Sequence, residues 1–133
     1  LEKSLKIVAL IARILLGLLF VVFGLNGFLH FIPQPPMPPG DVTTFFTVLT
    51  TSGYMMPVFA LQLIGGALLL VGRFVPLGLA LLGPVVVNIL LVHFLLEPKG
   101  RPLAAVTALL WLVIFAAYHK YFAGVFTANA TPS

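Results

Sequence analysis

Cysteine is absent from the 133 residues. That absence excludes disulfides, thiolate metal ligands and dithiol redox chemistry within this chain. Charge is nearly as scarce: 8% of residues are charged, against about 25% in an ordinary globular protein. With 61% hydrophobic residues, the chain cannot supply the polar surface a soluble fold needs. Its seven Lys and Arg outnumber three Asp and Glu for a formal charge of +4, but they are dispersed at predicted helix ends. No basic stripe exists to follow a phosphate backbone, so nucleic acid is not an expected partner.

What the chain does have is long apolar runs, at about Ile7 to Leu29, Met55 to Gly72, Phe74 to Leu96 and Pro102 to Phe122. Each approaches or exceeds the roughly 20 residues that cross a hydrocarbon core about 30 Å thick. The expected fold is therefore all-α, a single domain over 1–133 built as a four-transmembrane-helix bundle, with spans near 7–29, 55–72, 74–96 and 102–122. Lys3 and Lys6 precede the first run as they would in a signal peptide. The run is longer than a signal h-region, however, and IPQPPMPP after it offers no small-residue cleavage pattern, so a retained first helix is expected.

Lys3, Lys6, Arg13, Arg73 and Lys120 fall on one side of such a bundle, and Lys99 and Arg101 on the other. The positive-inside bias then predicts an integral protein of a bacterial cytoplasmic (inner) membrane with both termini in the cytoplasm. The outer loop IPQPPMPPGD is too rich in proline for a helix. Gly40 and Asp41 then signal a helix start, and Phe45, Phe46 and Leu49 recur at helical spacing, which predicts a short interfacial helix over the bundle mouth. Pro84 should bend the third span or free a carbonyl. Tyr118, His119, Lys120 and Tyr121 read as an interfacial anchor. The many glycines, among them Gly17, Gly24, Gly27, Gly65 and Gly66, predict close helix packing, within one chain or in a homo-oligomer.

Polar residues that survive inside apolar helices carry the functional signal, because they are costly in hydrocarbon unless they meet water, one another or a ligand. Asn26 and His30 lie four apart on the first helix, and His93 and Glu97 repeat that spacing on the third, with Asn88 deeper. Gln62 on the second helix matches Asn26 in depth. These positions define a candidate binding site of Asn26, His30, Gln62, Asn88 and His93 facing into the bundle, with Tyr54 and Trp111 as nearby aromatics. Glu97 has Lys99 and Arg101 as surface partners. Arg13, near the inner end, can snorkel to headgroups.

The same groups can either satisfy one another or receive the carbonyl or hydroxyl of a hydrophobic ligand. No catalytic residue and no metal site is expected: His93–Glu97 has no second ligand pair of diagnostic spacing, and no nucleophile elbow, phosphate loop or Rossmann fingerprint occurs. No cofactor is evident beyond a bound quinone or lipid. A transporter would call for an inverted repeat or a carboxylate network, and neither is visible.

The order of these features resembles the DoxX family of small four-helix membrane proteins, over most of the chain. The resemblance rests on ARILLGLLFVVFGLNGFLHFIPQPPMPP, on GYMMPVFALQLIGGALLLVGRFVPLGLALLGPVVVNILLVHFLLEP and on a final hydrophobic helix. Within it, Arg13, Gly17 and Phe20 occupy the ARxxLGxxF pattern, and Gly72 and Arg73 the later GR pair. Many DoxX-like sequences carry an acidic residue where this chain has Gln62, so a proton-binding carboxylate is replaced by a hydrogen-bonding amide. The family takes its name partly from a subunit of thiosulfate:quinone oxidoreductase, and relatives include membrane components of oxidative-stress assemblies and a receptor-assembly chaperone. The resemblance thus implies a noncatalytic membrane subunit or scaffold that binds a lipid-like or quinone-like molecule. The alternative is the membrane component of a quinone-linked oxidoreductase complex, its redox cofactors supplied by a membrane or peripheral partner.

Overall fold

The computed structural model describes residues 2–133. Among them there is no strand, and the chain forms five α-helices: α1 (Glu2–Leu29), α2 (Asp41–Thr51), α3 (Met55–Val71), α4 (Val75–Leu91) and α5 (Arg101–Tyr118). A π-helical turn, Val92–Leu96, extends α4, and a 3₁₀ segment, His119–Phe126, extends α5. Three helical stretches are long and apolar enough to cross a membrane: Glu2–Leu29, Val75–Leu96 and Pro98–Phe126. A fourth is reached only if α2 and α3, bent by 86° at their junction, are taken together as one span. The four apolar runs of the sequence thus all fold as helices.

Glycine seams position these helices. A Cβ on Gly17 would stand 2.9 Å from the Gly66 carbonyl oxygen, and one on Gly24 3.0 Å from the backbone nitrogen of Leu63. Gly27 lies directly against the Phe59 ring. From Gly27 with Phe59 to Gly17 with Gly66, α3 therefore runs antiparallel along α1 with the backbones nearly touching. On the next face of α3, a Cβ on Gly78 of α4 would meet the Gly65 carbonyl at 3.1 Å. Lipid tails give apolar side chains no hydrophobic incentive to leave them, so this close van der Waals contact supplies much of the association energy.

The core between the helices holds Leu16, Phe20, Leu69, Leu79, Leu82 and Ile114, all 1% exposed or less. Ile7, Ile11, Ile14, Leu15, Leu18 and Val22 instead turn their side chains outward along α1. Such a continuous apolar exterior suits a hydrocarbon surrounding.

Pro84 does not interrupt α4, which continues to Leu91. The proline has no N–H for the Ala80 carbonyl one turn back. At the neighbouring residue, Leu79, the carbonyl accepts a 3.0 Å hydrogen bond from Trp111 Nε1 of α5. Trp111 also stacks on Phe115, with centroids 5.3 Å apart and rings 8° from parallel. The indole is therefore a packing and tethering element inside the bundle.

The α3–α4 connection is short because two residues adopt left-handed backbone. Gly72 (φ 79°) ends α3 and donates its N–H to the Leu68 carbonyl, and Phe74 (φ 57°) precedes α4. At the other end of the bundle, α2 forms the short helix predicted after the proline-rich loop. The hydroxyls of Thr44, Thr47 and Thr51 donate to carbonyls one turn back, at Gly40, Thr43 and Thr47. These three hydroxyls are thereby paired locally, which lowers the cost of laying α2 on a poorly hydrated surface.

Candidate functional site

The half of the bundle nearest α2 holds the five predicted binding residues, and Asn26, Asn88 and His93 each bond locally. The Asn26 side-chain oxygen accepts the Ile32 N–H at 2.7 Å, while its main-chain carbonyl accepts the His30 N–H at 2.8 Å. Asn26 thus shapes the chain's exit from α1. His30 takes left-handed backbone (φ 52°) at that exit and is exposed. The inward orientation expected for His30 is corrected by this turn, which lifts the ring out of the helix face.

Asn88 is also corrected. Its Nδ2 donates to the Pro84 carbonyl at 2.8 Å on its own helix, and the side chain is exposed. One amide N–H is thereby paired on its own helix without entering the bundle.

His93 is half-buried. Its Nδ1 lies 3.2 Å from Glu97 Oε2 and 3.3 Å from the Glu97 carbonyl oxygen. The ring rests on Gly100, where a Cβ would collide with it. Glu97 therefore pairs with His93 and not with Lys99 or Arg101. Arg101 caps the end of the π turn, donating to the carbonyls of His93 at 3.3 Å and Phe94 at 3.1 Å. A cation at these free carbonyls is favoured because the C-terminal end of a helix is its negative pole.

Gln62 is the one buried member of the set. It is 8% exposed, and no side-chain hydrogen bond among the described residues involves it. It precedes Gly65 and Gly66 by three and four residues and so lies one turn above them on the same face. Since those glycines meet α4 and α1 respectively, Gln62 occupies the junction of three helices. No side-chain hydrogen bond joins any two of the five predicted residues among those described. Tyr54 is 64% exposed, and Trp111 is committed to Leu79.

The opposite end carries a constellation that the sequence reading treated as separate parts. Arg13 turns inward: its Nη1 donates to the Tyr118 hydroxyl at 3.3 Å, and its guanidinium lies over Gly72, where a Cβ would stand 2.9 Å from Cζ and both Nη atoms. Arg13 Nε is buried without a hydrogen-bond partner. Lys6, Tyr118, Lys120 and Tyr121 line a cavity of about 400 Å³ beside it. The available signal was depth: in antiparallel helices, the basic start of α1 and the aromatic–basic end of α5 fall at one level.

No group of three or more His, Cys, Asp or Glu among the described residues is arranged to hold a metal ion. Comparison with protein-family models, curated proteins and solved structures found no match to this chain.

Proposed function

We propose that this chain is a DoxX-like, four-crossing integral membrane protein of a bacterial cytoplasmic membrane with both termini in the cytoplasm. It works as a noncatalytic subunit or scaffold that holds a lipid-like or quinone-like molecule. Four crossings are supported by α3, whose 17 residues extend about 25 Å at 1.5 Å per residue and run antiparallel along α1. The five-to-two division of Lys and Arg between the two ends supports the orientation.

Gln62 carries the binding reading. Its amide makes no side-chain hydrogen bond yet is not among the fully buried unpaired groups, so it keeps an opening through which a ligand carbonyl or hydroxyl can pair with it. The α3 start at Met55 is seven residues away, so a ligand headgroup entering from the α2 end travels about 10 Å to reach it. Asn26 and His93 have local partners and contribute the mouth's shape more than its recognition chemistry.

Native mass spectrometry of gently purified protein, followed by extraction of retained small molecules, tests this reading. A stoichiometric hydrophobic molecule bearing a carbonyl or hydroxyl, retained by the parent protein and lost from Gln62→Leu, is the expected result. Recovery of exchangeable bulk lipid alone, in equal amounts from both proteins, would leave partner scaffolding as the only role.

A further inference from the structure

The cavity beside Arg13 differs in chemistry from the Gln62 junction and lies at the other end of the bundle. Three cations, Lys6, Arg13 and Lys120, line it together with the phenols Tyr118 and Tyr121. No acidic residue lines it, and the one ion pair among the described residues, His93 with Glu97, is at the far end. Glu2 is the sole acid on this side of the bundle, one turn before Lys6 on α1.

The hydrogen-bond inventory is uneven in a way that favours an anion. Arg13 donates once to Tyr118, and Arg13 Nε has no acceptor. The Tyr118 oxygen accepts from Arg13, which leaves the phenolic hydrogen free to donate. Lys120 Nζ lies 5.2 Å from the centroid of the Tyr121 ring, a contact that leaves its N–H groups available. Donors therefore exceed acceptors throughout the cavity. The end of α5 adds about half a negative charge, and the end of α3 near Arg13 a similar amount. Three full positive charges outweigh both.

We propose that this cavity binds a phosphate group, with the Arg13 guanidinium and Tyr118 hydroxyl at its base and Lys6 and Lys120 at its rim. Two sources share that chemistry: the headgroup of an anionic phospholipid, and free phosphate. The outward-facing Leu10, 45% exposed on the cavity wall, provides an apolar track for an acyl chain. The site stands independently of the role given to Gln62.

The test uses full-length protein in neutral detergent, titrated with phosphatidylglycerol or phosphatidylcholine and read by native mass spectrometry. Phosphatidylglycerol should bind preferentially, and Arg13→Gln should weaken it roughly tenfold, as expected for loss of a charge-assisted hydrogen bond. Lys120→Gln and Tyr118→Phe should each weaken it about threefold or more, a fraction of such a bond. Lys120 is exposed, so its replacement reports on binding without a burden on folding. Lys99→Gln, at the far end, should change nothing.

Inorganic phosphate, added at matched ionic strength, separates the two sources. Displacement of phosphatidylglycerol by phosphate, with the same dependence on Arg13, identifies a site open to free phosphate. Lipid binding without displacement assigns the headgroup. Equal binding of both lipids that phosphate does not displace, or a phosphatidylglycerol preference untouched by Arg13→Gln and Lys120→Gln, would overturn the proposal. Molecules retained at Gln62 should be unaffected by Lys120→Gln, so failure of either site is distinguishable from failure of the other.

Discussion

Gly17 of α1 and Gly66 of α3 face each other with nothing between their backbones: a Cβ on either would stand 2.9–3.0 Å from the carbonyl oxygen of the other. The obstacle on each side is main chain, which cannot rotate away as a flexible side chain would. Either the helices separate or the bundle strains. Gly83 provides the contrast, since a Cβ there would meet only Trp111 Cζ2, at 3.6 Å.

Gly17→Ala and Gly66→Ala should each destabilise the protein by about 1–3 kcal/mol, the usual cost of overpacking. Gly83→Ala should be neutral or stabilising by up to about 1 kcal/mol, because alanine is the better helix former. Thermal unfolding in a fixed detergent, followed by circular dichroism, separates the two classes. Equal losses at all three positions would show that the α1–α3 seam has no special role.

Asn26→Leu removes the acceptor for the Ile32 N–H and should loosen the exit from α1. The expected loss is about 0.5–1.5 kcal/mol, the net value of a typical hydrogen bond. Amide hydrogen exchange at Ile32 should accelerate in the variant, and unchanged protection would show that this contact does not hold the turn. His30→Gly should be tolerated, because glycine adopts the left-handed backbone found there without the cost of a Cβ.

Gln62→Leu should leave the ligand-free protein about as stable as the parent, since the amide makes no side-chain hydrogen bond within the protein to lose. Ligand retention should fall at the same time. Stability measured after delipidation, beside retention measured before it, gives both numbers. A marked loss of stability in the stripped protein would mean that Gln62 serves an internal network.

Topology can be read with single cysteines at Gln34, Arg73 and Ser133, because the parent chain has none to remove. In intact cells, a membrane-impermeant thiol reagent should label only the cysteine at Gln34. If the bent α2–α3 pair did not cross, positions 34 and 73 would lie on one side and label alike. External labelling at 73 or 133 would reject the four-crossing arrangement.

Hydropathy and proline placement made the helices readable before any packing was known. Apolar runs demand internally satisfied backbone, so Ile7 to Leu29 and the three later runs had to be helical; IPQPPMPP, short of donors and fixed in φ, could not be. The threonine-spaced aromatics after Asp41 likewise announced α2. By itself, then, the sequence determined an all-helical chain of membrane character, the glycines available for close packing, and the polar positions worth examining.

Tertiary structure decided what those polar positions do. Helical spacing gives a residue's angular position but not its rotamer, so it could not show Asn88 bonding back to Pro84, or Asn26 closing the turn after α1. It also could not show that Glu97 would choose His93 over Lys99 and Arg101. Arg13 and Tyr118 are 105 residues apart and become partners only because α1 and α5 pack with their ends level. That depth match, set by the glycine contacts and helix lengths of the whole bundle, gathers dispersed cations into one cavity and leaves Gln62 alone at the junction of three helices.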